Sequence, residues 1–514
     1  SPYSRDVTLG QHNLARLAEN AFERTGDRRG LFFEGTWYGT ANLWNRTTRL
    51  ARGFTELGIE PGDRVAVVMS NCPEVGISYG ALWRAGAAIT PAIFLLPPPE
   101  LHHIFEDSGA RAVITTPEFL PNVKQAAEGV ESLKWIISMG PEENGVIPLS
   151  SLEEAEPGSI VDRDDDDLAA LMYTGGTTGR AKGVALTHAN LWFGAECGFE
   201  ASHVEGIKRT IVPLPLSHSF GLIVAVVALH QGLNLTYETE SVLMRWFIPK
   251  DWLELVQEHR IERGTVVPSM VQVLLAEPLE DYDLSSLRYL VSGASPLPVE
   301  AAEEFERRVP SVEILEAYGL TESGVVLSHN RPGARRLGSV GPPMPRVDVR
   351  IVDEEGNDVP QGELGEITCR SKAVMHEYWK APDATEHALR DGWLYTGDIG
   401  RFDEDGYLYV VDRKKDLIIR GGFNVYPRDV EDALVEHPAV QIAGVVGKPD
   451  PTKGEEVVAF VMLRPDQEAS AEDLKAFAKD RVGGKAYPRD IRIVDQVPLT
   501  PVGKIDRKAL RRSC

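Results

Sequence analysis

The 514-residue sequence has only four cysteines, and Cys72, Cys197, Cys369 and Cys514 stand far apart, with no Cys-x-x-Cys pair and no histidine spacing suited to zinc. A disulfide-stapled scaffold and a structural zinc module are therefore excluded, and a reduced, cytoplasmic setting is expected. Positive charge is also scarce. The 54 Lys+Arg against 77 Asp+Glu leave a net charge of −23, which opposes non-specific attraction to nucleic acid or anionic membrane. Long apolar runs are missing too: residues 81–96 are broken by Arg84 and Pro91, and residues 221–235 by His230 and Gln231, so neither forms a clean ~20-residue span. No integral membrane segment is expected. The first residues lack the basic start and apolar core of a secretory signal, so a leader is not expected either. There is no internal repeat or low-complexity linker, and the 47 Gly and 34 Pro follow no Gly-X-Y period.

What is present is ordinary globular composition, 43% hydrophobic and 25% charged, in a chain long enough for three or four units of ~150 residues. The first ~165 residues alternate short apolar runs, such as 64–70, 87–94 and 110–116, with amphipathic stretches. That alternation predicts a mixed α/β architecture with parallel strands. The acidic run 161–167 reads as a solvated loop and not as a metal site. Residues 168–174 read as a buried strand entering a polar, glycine-rich loop.

The last ~100 residues read as a separate unit. Pro427 starts a helix whose Val430, Ala433 and Leu434 share a face; strands are expected at 440–447 and 455–463. Ser470 and Asp473 resemble a capping box before a helix with Leu474, Phe477, Ala478 and Val482 on one face, and a final strand is expected at 490–497. The basic punctuation at 412–415 divides the chain into an N-terminal domain (1–411), a hinge (412–415) and a C-terminal domain (416–514).

Residues 173–183 carry the sharpest chemical signal. Glycines turn backbone N–H groups inward, threonine hydroxyls add donors and Lys182 supplies charge, a combination that cradles phosphate oxygens. It is not a Walker A loop, because Lys182 follows Ala181 and precedes Gly183. A flexible surface loop is the plainer alternative. Read together with residues 316–323 (EAYGLTES), 395–398 (YTGD), 412–416 (DRKKD) and 501–504 (PVGK), this loop resembles the adenylate-forming acyl-CoA synthetases, the superfamily of luciferases and nonribosomal adenylation domains. Order and spacing match over essentially the whole chain, and the loop variant looks like the fatty-acyl-CoA ligase branch.

The resemblance implies a large N-terminal domain of layered α/β sheets plus a small β-barrel-like subdomain, followed by a small mobile α/β C-terminal domain. It also implies joining a hydrophobic carboxylic acid to AMP at the expense of ATP, with Mg²⁺, and passing the acyl group to CoA. Thr174, Gly175, Gly176, Thr177, Thr178, Gly179 and Lys182 would hold the β- and γ-phosphates. Thr321 would bind the α-phosphate, and Glu322 would be the metal ligand. Tyr318, between Ala317 and Gly319, would stack on adenine, with Gly293, Ala294 and Ser295 on its other side. Asp398 would take the ribose hydroxyls, with Arg413 beside the sugar or phosphate, and Lys504 would bridge the substrate carboxylate and α-phosphate. Lys415 would be the hinge, and Gly421 and Gly422 would line the path of the pantetheine arm. His218 would gate an acyl pocket drawing on Phe220, Val267, Ser292, Gly293 and Gly319.

Taken singly, each residue has a plainer reading: Tyr318 as core, Asp398 as a turn residue, Lys504 as a solvated charge, His218 as structural, the glycine pair as a tight turn. Gly175, Ala181, Ser217 and Glu377 depart from the commonest family pattern. Alternatives are a member that performs only the thioester step on an adenylate made by a partner enzyme, one that loads a carrier protein, and a non-catalytic nucleotide- or acyl-ligand-binding protein. A Ser-His hydrolase is not expected.

Overall fold

The computed structural model describes residues 10–174, 180–324, 326–500 and 504–514. The expected alternation of the first part builds an eight-stranded sheet in which Ala88–Pro91, Arg64–Val68, Ala112–Thr115, Trp135–Ser138 and Val146–Pro148 run parallel beside Leu168–Thr174. Its central strands are apolar on both faces, with Val65, Val67, Ile89 and Ile114 fully or nearly fully buried. Lys182–Thr187 and Glu377–Tyr378 extend this sheet in antiparallel sense.

A second eight-stranded sheet contains Arg209–Val212, Glu240–Leu243, Arg263–Val266, Tyr289–Ser292 and Glu313–Tyr318, again with parallel neighbours. Helices His188–Ser202 and Ser219–Asn234 contribute Leu191, Ala195, Leu222 and Val226 to one core shared by both sheets. Both sheets therefore aim strand ends at the same region, as open α/β sheets do at ligand sites. The small unit expected to be barrel-like is an antiparallel sheet of five strands that includes Gly365–Arg370, Trp393–Phe402 and Leu408–Arg413.

The C-terminal residues form a fourth sheet around Val440–Asp450 and Gly454–Leu463, with a separate core of Ile418, Val430, Leu434, Val445, Val461 and Leu474. Proline opens the Pro427–Val435 helix, and the Ser470–Asp473 capping box is present. Two expectations change. The last strand stops at Ile493, and the Ala471–Ala486 helix is interrupted at Gly483 (φ 79°), leaving Phe477 and Val482 half-buried. The acidic run is not merely solvated either: Asp165 accepts from the His12 ring at 2.6 Å, and Asp167 pairs with Arg163, tying the loop to the chain's beginning.

Backbone packing sets the turn that will carry Thr321 and Glu322. A Cβ on Gly194 would lie 2.5 Å from the Gly324 carbonyl oxygen, and one on Gly324 would lie 2.2 Å from that of Ala373. Gly324 also has φ 70°, left-handed and costly for any other residue. Gly324→Ala is expected to lower stability by about 3 kcal/mol, read as a fall in urea midpoint; an unchanged midpoint would refute this account of the turn.

Candidate active site

Thr174 and Lys182 are cross-strand partners at the mouth of the glycine-rich loop. Gly175, Gly176, Thr177, Thr178 and Gly179 lie outside the described residues. Lys182 is exposed, with Nζ 5.2 Å above the Tyr378 ring. The Tyr378 hydroxyl donates to Glu322 Oε1 at 2.8 Å, and burial together with this carboxylate pushes the phenol upward. Tyr378 escaped the sequence reading; its signal was the Glu377–Tyr378 pair, noted only for the departure at Glu377. Glu377 pairs with Ala185 in the sheet and is half-buried.

Thr321 and Glu322 sit in a short 3₁₀ turn, Thr321–Ser323, that follows strand Glu313–Tyr318. Thr321 Oγ1 donates to Ser219 Oγ at 3.0 Å, linking this turn to the first residue of the Ser219–Asn234 helix. Before the turn, the Tyr318 hydroxyl donates to Asp398 Oδ2 at 2.6 Å. Asp398 is only 3% exposed, and its Oδ1 faces Arg413 Nε at 3.2 Å. The last two are cross-strand partners, which explains how residues fifteen apart meet. Burial and the Asp398 carboxylate raise the Tyr318 phenol well above its ordinary value, so it stays a hydrogen-bond donor.

Lys504 is tied to Thr500: the Thr500 N–H donates to the Lys504 carbonyl at 2.7 Å, and the Lys504 N–H to Thr500 Oγ1 at 3.2 Å. Burial, then Arg413, lowers its amine to about 8, against the opposing pull of Asp398 and Glu322. Its charge also reaches His218, whose imidazole is lowered to about 3, chiefly by burial. His218 caps the Ser219–Asn234 helix, with Nδ1 accepting from the Phe220 N–H at 3.2 Å, so the neutral ring carries its proton on Nε2. Lys504, Arg413, Asp398, Glu322 and His218 thus form one electrostatic cluster, drawn from positions nearly 300 residues apart.

A Cβ on Gly293 would lie 3.2 Å from Phe220 Cε1 and 3.3 Å from the Ala317 carbonyl, so Gly293 touches Phe220, expected in the acyl pocket, and Ala317, expected beside the nucleotide. Ala294 adopts φ 71°, a left-handed strain stored next to Ser295. Gly319 is half-buried, Val267 is buried as the cap of Pro268–Leu275, and the buried hydroxyls of Ser292 and Ser217 have no partner among the described residues.

Lys415 is exposed in the turn after Arg413 and borders the cluster: burial, then Arg413, lowers its amine, against the opposing pull of Asp416, Asp398 and Glu322. Two expectations stand apart. Gly421 (φ 58°) and Gly422 (φ 79°) form the two-residue turn of the hairpin Ile418–Arg420/Phe423–Val425, and a Cβ on either would meet nothing within 4 Å. They form a tight turn, and twist-matched hairpin loops of this kind demand positive φ at both positions. Asp412, within the expected hinge, accepts from the N–H groups of Arg413 (2.7 Å) and Arg428 (2.9 Å), tying the Pro427–Val435 helix to the strand Leu408–Arg413. The string Gly76-Ile-Ser-Tyr-Gly80 has serine-hydrolase spacing, but Ser78 is buried inside the Pro73–Arg84 helix, far from an exposed strand-to-helix elbow.

Among the described residues no group of three or more His, Cys, Asp or Glu could cage a metal. A single carboxylate, Glu322, suits Mg²⁺, which takes one or two carboxylates and otherwise keeps water and phosphate.

The fold and this cluster define a nucleotide-handling α/β protein with a small appended domain. The model of the AMP-binding enzyme family matches residues 17–379, and that of its C-terminal domain matches 429–504, so the chain belongs to the AMP-binding enzymes. It is 36% identical over 485 residues to a feruloyl-CoA synthase of Amycolatopsis sp, covering 93% of this chain and 94% of that protein. It is 34% identical over 538 residues to a long-chain-fatty-acid–CoA ligase of Bacillus subtilis, covering 98% and 95%. The anthranilate CoA ligase AuaEII in complex with anthranoyl-AMP superposes with a TM-score of 0.92 at 27% identity, covering 99% and 98%.

Because a hydrogen bond to a charged group contributes about 1.5–3 kcal/mol, Tyr318→Phe is expected to weaken ATP binding roughly tenfold or more by calorimetry. Unchanged affinity would separate the Tyr318–Asp398 contact from the nucleotide site.

Proposed function

We propose that the protein is an ATP-dependent, AMP-forming acyl-CoA synthetase that activates a hydrophobic carboxylic acid as its acyl-adenylate and transfers the acyl group to CoA. The observation that carries this reading is the half-buried Lys504, whose charge interacts with Arg413, Asp398, Glu322 and His218, a cationic point inside a protein of net charge −23. The names of the relatives support the same class of reaction.

In this reading the acid's carboxylate oxygen attacks the α-phosphorus of ATP, the bond to the β-phosphate breaks, and pyrophosphate leaves. Two anions must approach each other, so the barrier depends on fixed positive charge at the meeting point. Lys504 supplies it between the carboxylate and α-phosphate, Thr321 donates to an α-phosphate oxygen, and Lys182 with Thr174 and the loop 175–179 holds the leaving phosphates. Asp398, oriented by Tyr318 and Arg413, takes the ribose hydroxyls, while Gly293, Ala294 and Ser295 leave room for the purine opposite Tyr318. Glu322 would hold Mg²⁺, which supplies charge neutralisation on the phosphates. Phe220, Val267, Ser292, Gly293 and Gly319 line the acyl pocket, with neutral His218 at its entrance.

Thiol transfer requires Lys504 to leave and a thiol to enter. We place that movement at the 412–415 hinge, with Lys415 as pivot, and assign the Gly421–Gly422 turn to the pantetheine path only in the rotated arrangement, since here it faces open space.

Lys504→Ala is expected to slow adenylate formation from free acid by on the order of 10²-fold while leaving thioester formation from a supplied acyl-adenylate much less affected. Pyrophosphate release and acyl-CoA formation, assayed side by side, check the split; equal losses in both would remove Lys504 from the first step. Acyl-carrier protein as the sole acceptor would redirect the second step. Since the amine must be protonated, kcat/KM for adenylation should fall as pH rises through about 8, and Lys504→Arg should move that limb upward. A limb unmoved by this substitution would assign it elsewhere.

A further inference from the structure

Side chains alternate along strand Arg263–Val266, so Arg263 and Thr265 share a face, and the register sets Arg263 beside Thr210 and Tyr289, and Thr265 beside Val291. This face turns to the Ser219–Asn234 helix, because Val212 and Leu243 on it pack with Leu222 and Val226, while Val266 and Leu290 serve the opposite core. Val291 and Leu315 lie on the same face, 4% and 2% exposed. On the helix, Phe220, Val224 and Val227 are only half-buried. An acyl chain entering beside Gly293 and Val267 would run inward in a pocket between this face and the helix.

The deep end of that pocket is not apolar. Arg263 Nη1 donates to the carbonyl of Ser202 at 2.9 Å, and among the described residues no carboxylate pairs with the guanidinium. Desolvation alone lowers it, to about 10, with no acid opposing the fall. The flanking acids are committed elsewhere, Glu262 to Arg209 and Glu313 to Arg335. His329, lowered to about 4 by burial and by Arg263, is neutral and offers no counter-charge. Thr265 Oγ1, buried on the same face, has no hydrogen-bond partner among the described residues. Other interior arginines differ: Arg46 is held by Glu74 and Glu153, and Arg507 by Glu431. Arg263 is half-buried, and a guanidinium held away from water without an anion is costly, a cost that is offset when a ligand brings one.

We propose that Arg263 is a specificity-determining residue of the acyl pocket, and that the acid activated here carries a second anionic group, a carboxylate or its equivalent, at the end remote from the reacting carboxylate. This rests on the acyl-CoA synthetase reading and narrows its substrate. The four residues from Val267 down to Arg263 span about 13 Å at the usual strand rise, so the two charges are separated by an apolar stretch. The planar guanidinium fork receives a carboxylate in bidentate fashion, with Thr265 Oγ1 as a further donor.

The test is pyrophosphate release by the full chain with ATP and two panels matched in length and shape: straight-chain and ring-bearing monocarboxylic acids, and the same acids with a second carboxylate at the far end. Wild type is expected to favour the best diacid over its monoacid partner by on the order of 10²-fold in kcat/KM, because an analogue lacking the anion leaves buried donors unpaired. Arg263→Met should invert the preference, raising KM for the diacid while sparing turnover of the monoacid, and Arg263→Lys should restore part of it. A monoacid preference in wild type, or a ratio unmoved by Arg263→Met, overturns the inference and leaves the synthetase reading standing. If Arg263→Met does not fold, the wild-type preference alone decides. No pyrophosphate from any acid, with ATP bound to folded protein, overturns the synthetase reading and this inference with it.

Discussion

The Asp398 carboxylate is the contact on which the site depends. One oxygen accepts from Tyr318, at the end of a strand of the second large sheet, and the other faces Arg413 in the small antiparallel sheet. Its charge also opposes the lowering of the Lys504 amine, so a lysine beyond the 412–415 segment sits beside an arginine without both cations being unpaired. Without this buried anion, Arg413 and Lys504 would repel each other with Glu322 left to oppose them. Three separately built units, two of them with their own cores, are thereby referred to one point.

Around that point the geometry is held by backbone more than by side chains. The Thr321–Ser323 turn is pressed between the His188–Ser202 helix, which approaches through Gly194, and the carbonyl of Ala373, which approaches Gly324. Thr321 and Glu322 are then fixed laterally by Ser219 and Tyr378. Oxygen ligands and donors set on so rigid a base cost little to reorganise when charge shifts during a reaction, which is where fixed dipoles and charges are most effective. The C-terminal residues are tied to the rest through Arg428, whose N–H donates to Asp412 and whose guanidinium donates to the Val410 carbonyl.

The net charge of −23 gives these local cations their meaning. Beyond a Debye length of about 8–10 Å the surface acids are screened, and only cations inside the cleft act on a bound polyanion. In the proposed reading Lys182, Arg413 and Lys504 serve the nucleotide. Arg263 donates to the Ser202 carbonyl and has no carboxylate beside it among the described residues.

Much was legible from the residues. Apolar alternation predicted parallel layered sheets because burial on both faces leaves an unmistakable pattern, and the glycine-rich loop declared phosphate chemistry by composition, whereas the Glu316–Ser323 run and the PxGK lysine took their expected roles from the family resemblance. Local signals also placed the Pro427 helix and the Ser470–Asp473 cap, since both depend on neighbours in sequence. Tyr378 against Glu322, Ser219 against Thr321 and Arg263 without an acid could not be read this way, because each is defined by what lies across the fold. The glycine pair 421–422 shows the same limit from the other side: its positive φ is a local necessity of the hairpin, while whether a ligand ever passes it depends on the orientation of a whole domain. The sequence by itself determined which elements form and which chemical groups are available. Only the tertiary structure decided which charges are buried together and which is left unpaired, because desolvation and Coulomb interaction depend on distance in space and not along the chain.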